Sequence, residues 1–159
     1  MQDRPTAIEL LEAAADFIER EIVPAAAGGR GFQARVAANA MRIVAREIQL
    51  EDPQARAEVK ALAALLGHGA PHVHSLEDLR RTAAAFNTEL SEKILAGEAD
   101  EEPRRSQVMA AVRQIVEDKL RIANPRYLEA DAAMRSGLLI NQQPAPSLLS
   151  PPQKNGGED

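Results

Sequence analysis

A chain of 159 residues with a formal charge of -5, no cysteine and 3% aromatic residues has no disulfide, no thiolate nucleophile and no sulfur-based zinc site. Alanine accounts for 30 of its apolar residues, and Val, Ile, Leu and Phe together for 36, enough for one modest core and too few for a large catalytic cleft with a second domain. Ala, Glu, Lys, Leu and Arg fill 81 positions; that excess of helix formers points away from a β-sandwich or barrel, and the acidic balance argues against a dedicated nucleic-acid binder.

The opening MQDRPT runs straight into an amphipathic segment dotted with Glu and Asp, unlike a secretory signal. No apolar run approaches the ~18 residues of a membrane span. The expectation is a cytoplasmic protein that binds neither nucleic acid nor membrane.

The first helix is announced by Thr6 and Glu9, a capping-box pair, and Pro24 supplies a stop. Ile8, Leu11, Ala15, Ile18 and Ile22 form one stripe, which Leu10, Ala14 and Phe17 widen; so broad an arc predicts two neighbouring helices. Three glycines between Ala25 and Gly31 mark a loop. A second helix over Phe32–Leu50 gathers Phe32, Val36, Ala40, Ile43 and Leu50 with Ala37, Met41, Val44 and Ile48 over half its circumference, and is expected to be the most buried. Its opposite ridge carries Arg35, Asn39, Arg42 and Arg46.

Asp52 and Pro53 read as the cap and first turn of a third helix through Val59, Leu62, Ala63 and Leu66, stopped by Gly67. Residues 68–74 are loop-like. Ser75 and Asp78 open a fourth helix with the stripe Leu76, Leu79, Ala83, Phe86, Leu90 and Ile94, ending at Gly97. A fifth begins near Pro103 or Arg104 and stops before Pro125, because a residue preceding proline leaves the α region. Tyr127–Arg135 adds one short turn. The composition then changes to a Pro-, Gln-, Ser- and Gly-rich tail, read as disordered. The expected fold is all-α: a single antiparallel bundle of about five helices over residues 1–136, with a disordered Pro-rich tail at 137–159.

Three features carry chemistry. His68, His72 and His74 fall within seven residues and could reach one divalent ion if the loop folded around it, although the spacing matches no zinc motif and solvated loop histidines are the plainer reading. Glu47 and Lys119 each interrupt an apolar stripe; packing of helices two and five would join them as a structural ion pair, unless each stem lies along the core edge with its head in water. The arginine ridge suits carboxylates, phosphates or a protein interface, against the alternative of a solvated helix face. No phosphate cradle, nucleophile elbow or helical pair of metal ligands is present, so no catalytic residue and no cofactor is expected, and an enzyme acting alone is disfavoured.

The segments RPTAIELL, RVAANAMRIVARE and KLRIANPRY resemble a family of small helical bacterial proteins of unassigned function, encoded beside aminoglycoside-phosphotransferase-like kinases and acyl-CoA dehydrogenases. The resemblance covers roughly residues 2–128. One member type is the small partner subunit of a levulinate-pathway kinase that phosphorylates the hydroxyl of a 4-hydroxyacyl-CoA. The resemblance implies a non-catalytic accessory subunit that binds and supports a phosphotransferase-fold kinase. On this sequence the matching positions include Arg35, Asn39, Arg46 and Glu47 in helix two and Lys119, Asn124, Pro125, Arg126 and Tyr127 at the end of helix five. The expected partner surface is therefore Arg35, Asn39, Arg42, Arg46, Asn124, Arg126 and Tyr127. Two rivals stand beside it: a metal- or small-molecule-binding helical protein using the histidine loop, and a scaffold whose Ala-rich helices self-associate.

Overall fold

A computed structural model describes residues 3–136; the tail from 137 onward lies outside the described residues. The chain is helical almost throughout, with no strand among the described residues. The Thr6 hydroxyl accepts the Glu9 amide while the Glu9 carboxylate accepts the Thr6 amide at 2.7 Å, closing the capping box that opens α1, Ala7–Phe17. Pro24 does not stop this helix. The chain continues through a π-helical turn at Ile18–Ile22 into the short α2, Val23–Ala25, which contains the proline near its start.

The largest departure from the sequence pattern is α3, Gly29–Leu66, a single helix of 38 residues and about 57 Å that fuses the second and third expected elements. Asp52 does not act as a cap: its carboxylate takes Arg56 Nε and Nη2 at 2.7 and 3.1 Å, one turn on. Pro53 is absorbed inside the helix, at the loss of one backbone hydrogen bond. Packing along α3 on both sides of the proline outweighs that local cost. The glycine loop shrinks accordingly, because Gly29 and Gly31 already belong to α3. Gly31 is buried, and a Cβ there would sit 3.4 Å from the Val23 carbonyl oxygen, in van der Waals contact with the turn from α2 into α3.

Gly67, at φ +75°, terminates α3. Ser75 accepts the Asp78 amide to open α4, Leu76–Leu95, and α5 spans Arg104–Ala123. Asn124, held extended by the proline after it (φ -153°, ψ 74°), separates α5 from α6, Pro125–Arg135. The expected short turn is thus an 11-residue helix.

Cross-helix bonds set the directions. Asp16 and Glu19 meet Arg42, so α1 lies antiparallel against the N-terminal half of α3. Arg104 Nη2 donates to the Leu65 carbonyl at 2.6 Å and Arg46 Nε to the Ile122 carbonyl at 2.7 Å, so α5 is antiparallel to α3 as well. The α4 helix runs parallel to α3, with Arg80 at Glu51, Asn87 at Glu58 and Leu90 against Leu62. A parallel neighbour requires a return path, and residues 67–75 supply it, laying Val73 against the Val59 and Leu79 cluster on the way back.

The core sits at the C-terminal half of α3, where Leu62, Leu90, Val108 and Ile115 meet from three helices beside a second cluster of Val59, Leu79 and Ala83. Leu62 is the largest fully buried side chain among the described residues. The N-terminal half is different. There α3 buries only Gly31, Ala38 and Ala45, small residues seven apart that let α1 approach closely through Ala15. Phe32, Val36, Val44 and Ile48 are 42–68% exposed, so the segment expected to be most buried is covered on one side only. The broad stripe of α1 likewise finds one long neighbour, α3, and leaves Leu10 and Phe17 at least half exposed. Both departures have one cause: α4 and most of α5 pack lower down α3, and the α5–α6 corner that reaches this two-helix arm leaves an open groove against it.

Candidate functional site

Six of the residues singled out from the sequence line one open groove of about 680 Å³. Arg35, Asn39, Arg42 and Arg46 come from the ridge of α3, spaced three and four apart and therefore on one face. Asn124 and Arg126 come from the α5–α6 corner, together with Ala123 and Pro125. The corner stands beside the ridge because Arg46 holds it there: its Nε donates to Ile122, one of the last carbonyls of α5 without a helical partner. Phe32 and Val36 form an apolar rim, 68% and 52% exposed.

The four guanidinium groups differ in duty. Arg42 bridges Asp16 at 2.9 Å and Glu19 at 2.5 Å and is only 30% exposed, so it clamps α1 and the π-helical turn onto α3. Its hydrogen bonds to Glu19 and then to Asp16 raise its pKa above the usual arginine value. Arg46 is committed to Ile122. Arg35 and Arg126 are exposed and have no ion pair or hydrogen bond among the described residues. Glu19, the sole acid lining the groove, is taken up by Arg42. The groove therefore offers two cations free to bind, contributed by separate elements, with the amides of Asn39 and Asn124 between an apolar rim and a helix corner. Tyr127 stands outside this lining, 57% exposed on the first turn of α6.

The pairing of Glu47 with Lys119 does not form. Lys119 Nζ reaches Glu58 Oε1 at 3.0 Å, and Glu47 faces Arg80 of α4 at 3.8 Å. Helices α3 and α5 do pack, in antiparallel register, but Glu47 faces α4 and Lys119 reaches the largely buried Glu58 instead. Both expected partners are exposed, at 45% and 61%, with their heads at the edge of the core. They line the same groove of about 370 Å³ between α3, α4 and α5. The carboxylate that matters there is Glu58, only 12% exposed and bonded through one oxygen to both Asn87 and Lys119. It escaped the sequence reading although it carries the same signal, an acid at the margin of the Val59 and Leu62 stripe. Arg80 forms a bidentate pair with Glu51 at 2.5 and 2.7 Å, which raises its pKa, chiefly through the hydrogen bond.

The three histidines do not converge. His68 Nε2 lies 2.8 Å from Glu89 Oε2, and its ring stacks on Phe86 at 5.0 Å and 19°, while His72 and His74 are exposed. Among the described residues no group of three His, Cys, Asp or Glu is placed to hold a metal ion, and no helix is long and apolar enough to cross a membrane.

Fold and site together define an all-α domain with an arginine- and asparagine-lined groove on one edge of a two-helix arm. The chain belongs to the family described as a domain of unknown function, DUF6285, whose family model matches residues 24–127. Every ridge and corner residue of the groove lies inside that match, and α1 lies outside it. No curated protein matches the chain, and no solved structure does.

Proposed function

We propose that the protein is a non-catalytic accessory subunit that docks a phosphotransferase-fold kinase of acyl-CoA metabolism through the arginine groove. The observation that carries the docking site is the meeting of Arg35 and Arg126, exposed and unpaired among the described residues, across a groove with an apolar rim. Guanidinium groups form directed, bidentate bonds to carboxylates and are enriched at interface hot spots. Phe32 and Val36 supply the desolvated neighbours that make such bonds strong. The kinase as partner follows from the resemblance of RVAANAMRIVARE and KLRIANPRY, the two segments that build the groove.

Co-expression with a phosphotransferase-fold kinase of the proposed kind, size-exclusion chromatography and an assay of ATP-dependent phosphorylation of a hydroxyacyl-CoA test the reading. Co-elution and increased turnover are expected. A kinase that neither co-elutes nor gains activity ends it.

A further inference from the structure

The docking groove occupies one edge of the α1–α3 arm, and the opposite edge is apolar. Over residues 55–66, α3 turns one face to α4 and buries Val59 and Leu62. At 100° per residue the same face continues toward the N-terminus through Ile48, level with the first turn of α4, to Val44 and Ala37 beyond it, since Arg80 sits at Glu51 and faces Glu47. The register fixed by Arg42 with Asp16 and Glu19 brings the outer edge of α1, with Leu10, Ala14 and Phe17, alongside. Leu10, Phe17, Val44 and Ile48 are 50%, 58%, 42% and 55% exposed, and the charged side chains of Glu47 and Asp52, paired with Arg80 and Arg56, border them on α3.

We propose that two copies of the chain pair through this face, α1 and α3 of each forming a four-helix bundle about a two-fold axis. A two-helix arm with one apolar side is half of such a bundle, and an isologous contact asks only that a face complement itself. This one does, because its large side chains alternate with Ala14 and Ala37, so that knobs meet small residues across the axis. At the stated exposures the four large side chains offer on the order of 350 Å². With the neighbouring alanines the face reaches roughly 500 Å² per copy, so a pair hides about 1,000 Å², the threshold of a specific interface. The surface is also continuous with the α3–α4 contact, so the dimer extends an interface the fold already uses. The arginine groove stays open on the outer edge of each copy.

Sedimentation velocity on the full chain, from about 5 to 500 µM, tests the pairing. A concentration-dependent dimer is expected in the wild type, and Phe17→Glu with Val44→Glu is expected to weaken it at least about tenfold while leaving far-UV helicity unchanged. Because the chain contains no cysteine, Ala14→Cys is expected to cross-link under mild oxidation and Asn39→Cys, on the groove edge, is not. A wild type monomeric throughout, a dimer untouched by the double substitution, or equal cross-linking at the two positions overturns the proposal. A monomer that still co-elutes with the kinase would end self-pairing and leave the docking groove intact.

Discussion

Pro53→Ala separates one long helix from two short ones by the sign of its effect. Pro53 is exposed and lies well inside α3, with helical chain on both sides. It has no N–H for the Gln49 carbonyl, and its ring crowds that oxygen. Proline in a helix interior is about 3 kcal/mol worse than alanine. Alanine returns about 0.4–1 kcal/mol of freedom to the unfolded chain, so the net gain expected is about 2 kcal/mol. For a domain of this size that corresponds to a rise in Tm of roughly 6–10 °C. Circular dichroism at 222 nm, followed with temperature and with urea, measures it; the urea midpoint should rise with an unchanged slope. A stability that stays level or falls would place Pro53 at the first turn of a separate helix, where proline is favoured, and would refute the continuous α3.

Leu62→Ala removes the largest fully buried side chain among the described residues and should cost about 3–4 kcal/mol in urea unfolding, whereas Phe32→Ala, 68% exposed in the native state, should cost under about 0.5 kcal/mol. Arg46→Ala abandons a helix-end carbonyl and should lower stability by about 1–2 kcal/mol, while Arg35→Ala should leave unfolding unchanged and weaken only partner binding. Arg56 holds the Asp52 carboxyl below its usual value, first through its hydrogen bond. A lowered folded-state pKa contributes stability that is complete above the ordinary carboxylate range and lost as the pH falls through the lowered value. Asp52→Asn should therefore be less stable than wild type near about pH 7, with the gap closing by about pH 2; a gap that persists in acid would contradict the pairing.

What the sequence makes legible here is local. Thr6 with Glu9, Ser75 with Asp78, and Gly67 mark helix ends through bonds or dihedrals that involve one turn of chain, so they can be read without knowing the fold. Asp52–Pro53 has the same local signature and the opposite outcome, because side-chain pairing with Arg56 and packing along α3 override it. Periodicity finds the apolar faces of α1 and α3 correctly, but burial depends on how many neighbours arrive, and Val44 and Ile48 share the period of buried residues while standing in the open. The ridge is readable as a ridge, and its union with Asn124 and Arg126 rests on the quoted segments and on the antiparallel register of α5. That Arg42 and Arg46 are occupied inside the fold could not be read, since their partners Glu19 and Ile122 lie 23 and 76 residues away. Distance likewise defeats the pairing of Lys119, whose partner Glu58 lies 61 residues away while Glu47 faces Arg80 of α4.

The docking proposal is tested most directly by a calorimetric titration of the proposed kinase partner with wild type and with Arg35→Glu, Arg126→Glu, the two groove cations with no partner among the described residues. Binding by the wild type and a loss of at least about a hundredfold in the double variant, roughly 1.4 kcal/mol for each arginine reversed, with both proteins equally stable, is the predicted result. Equal affinity for the kinase with and without the two arginines would contradict it.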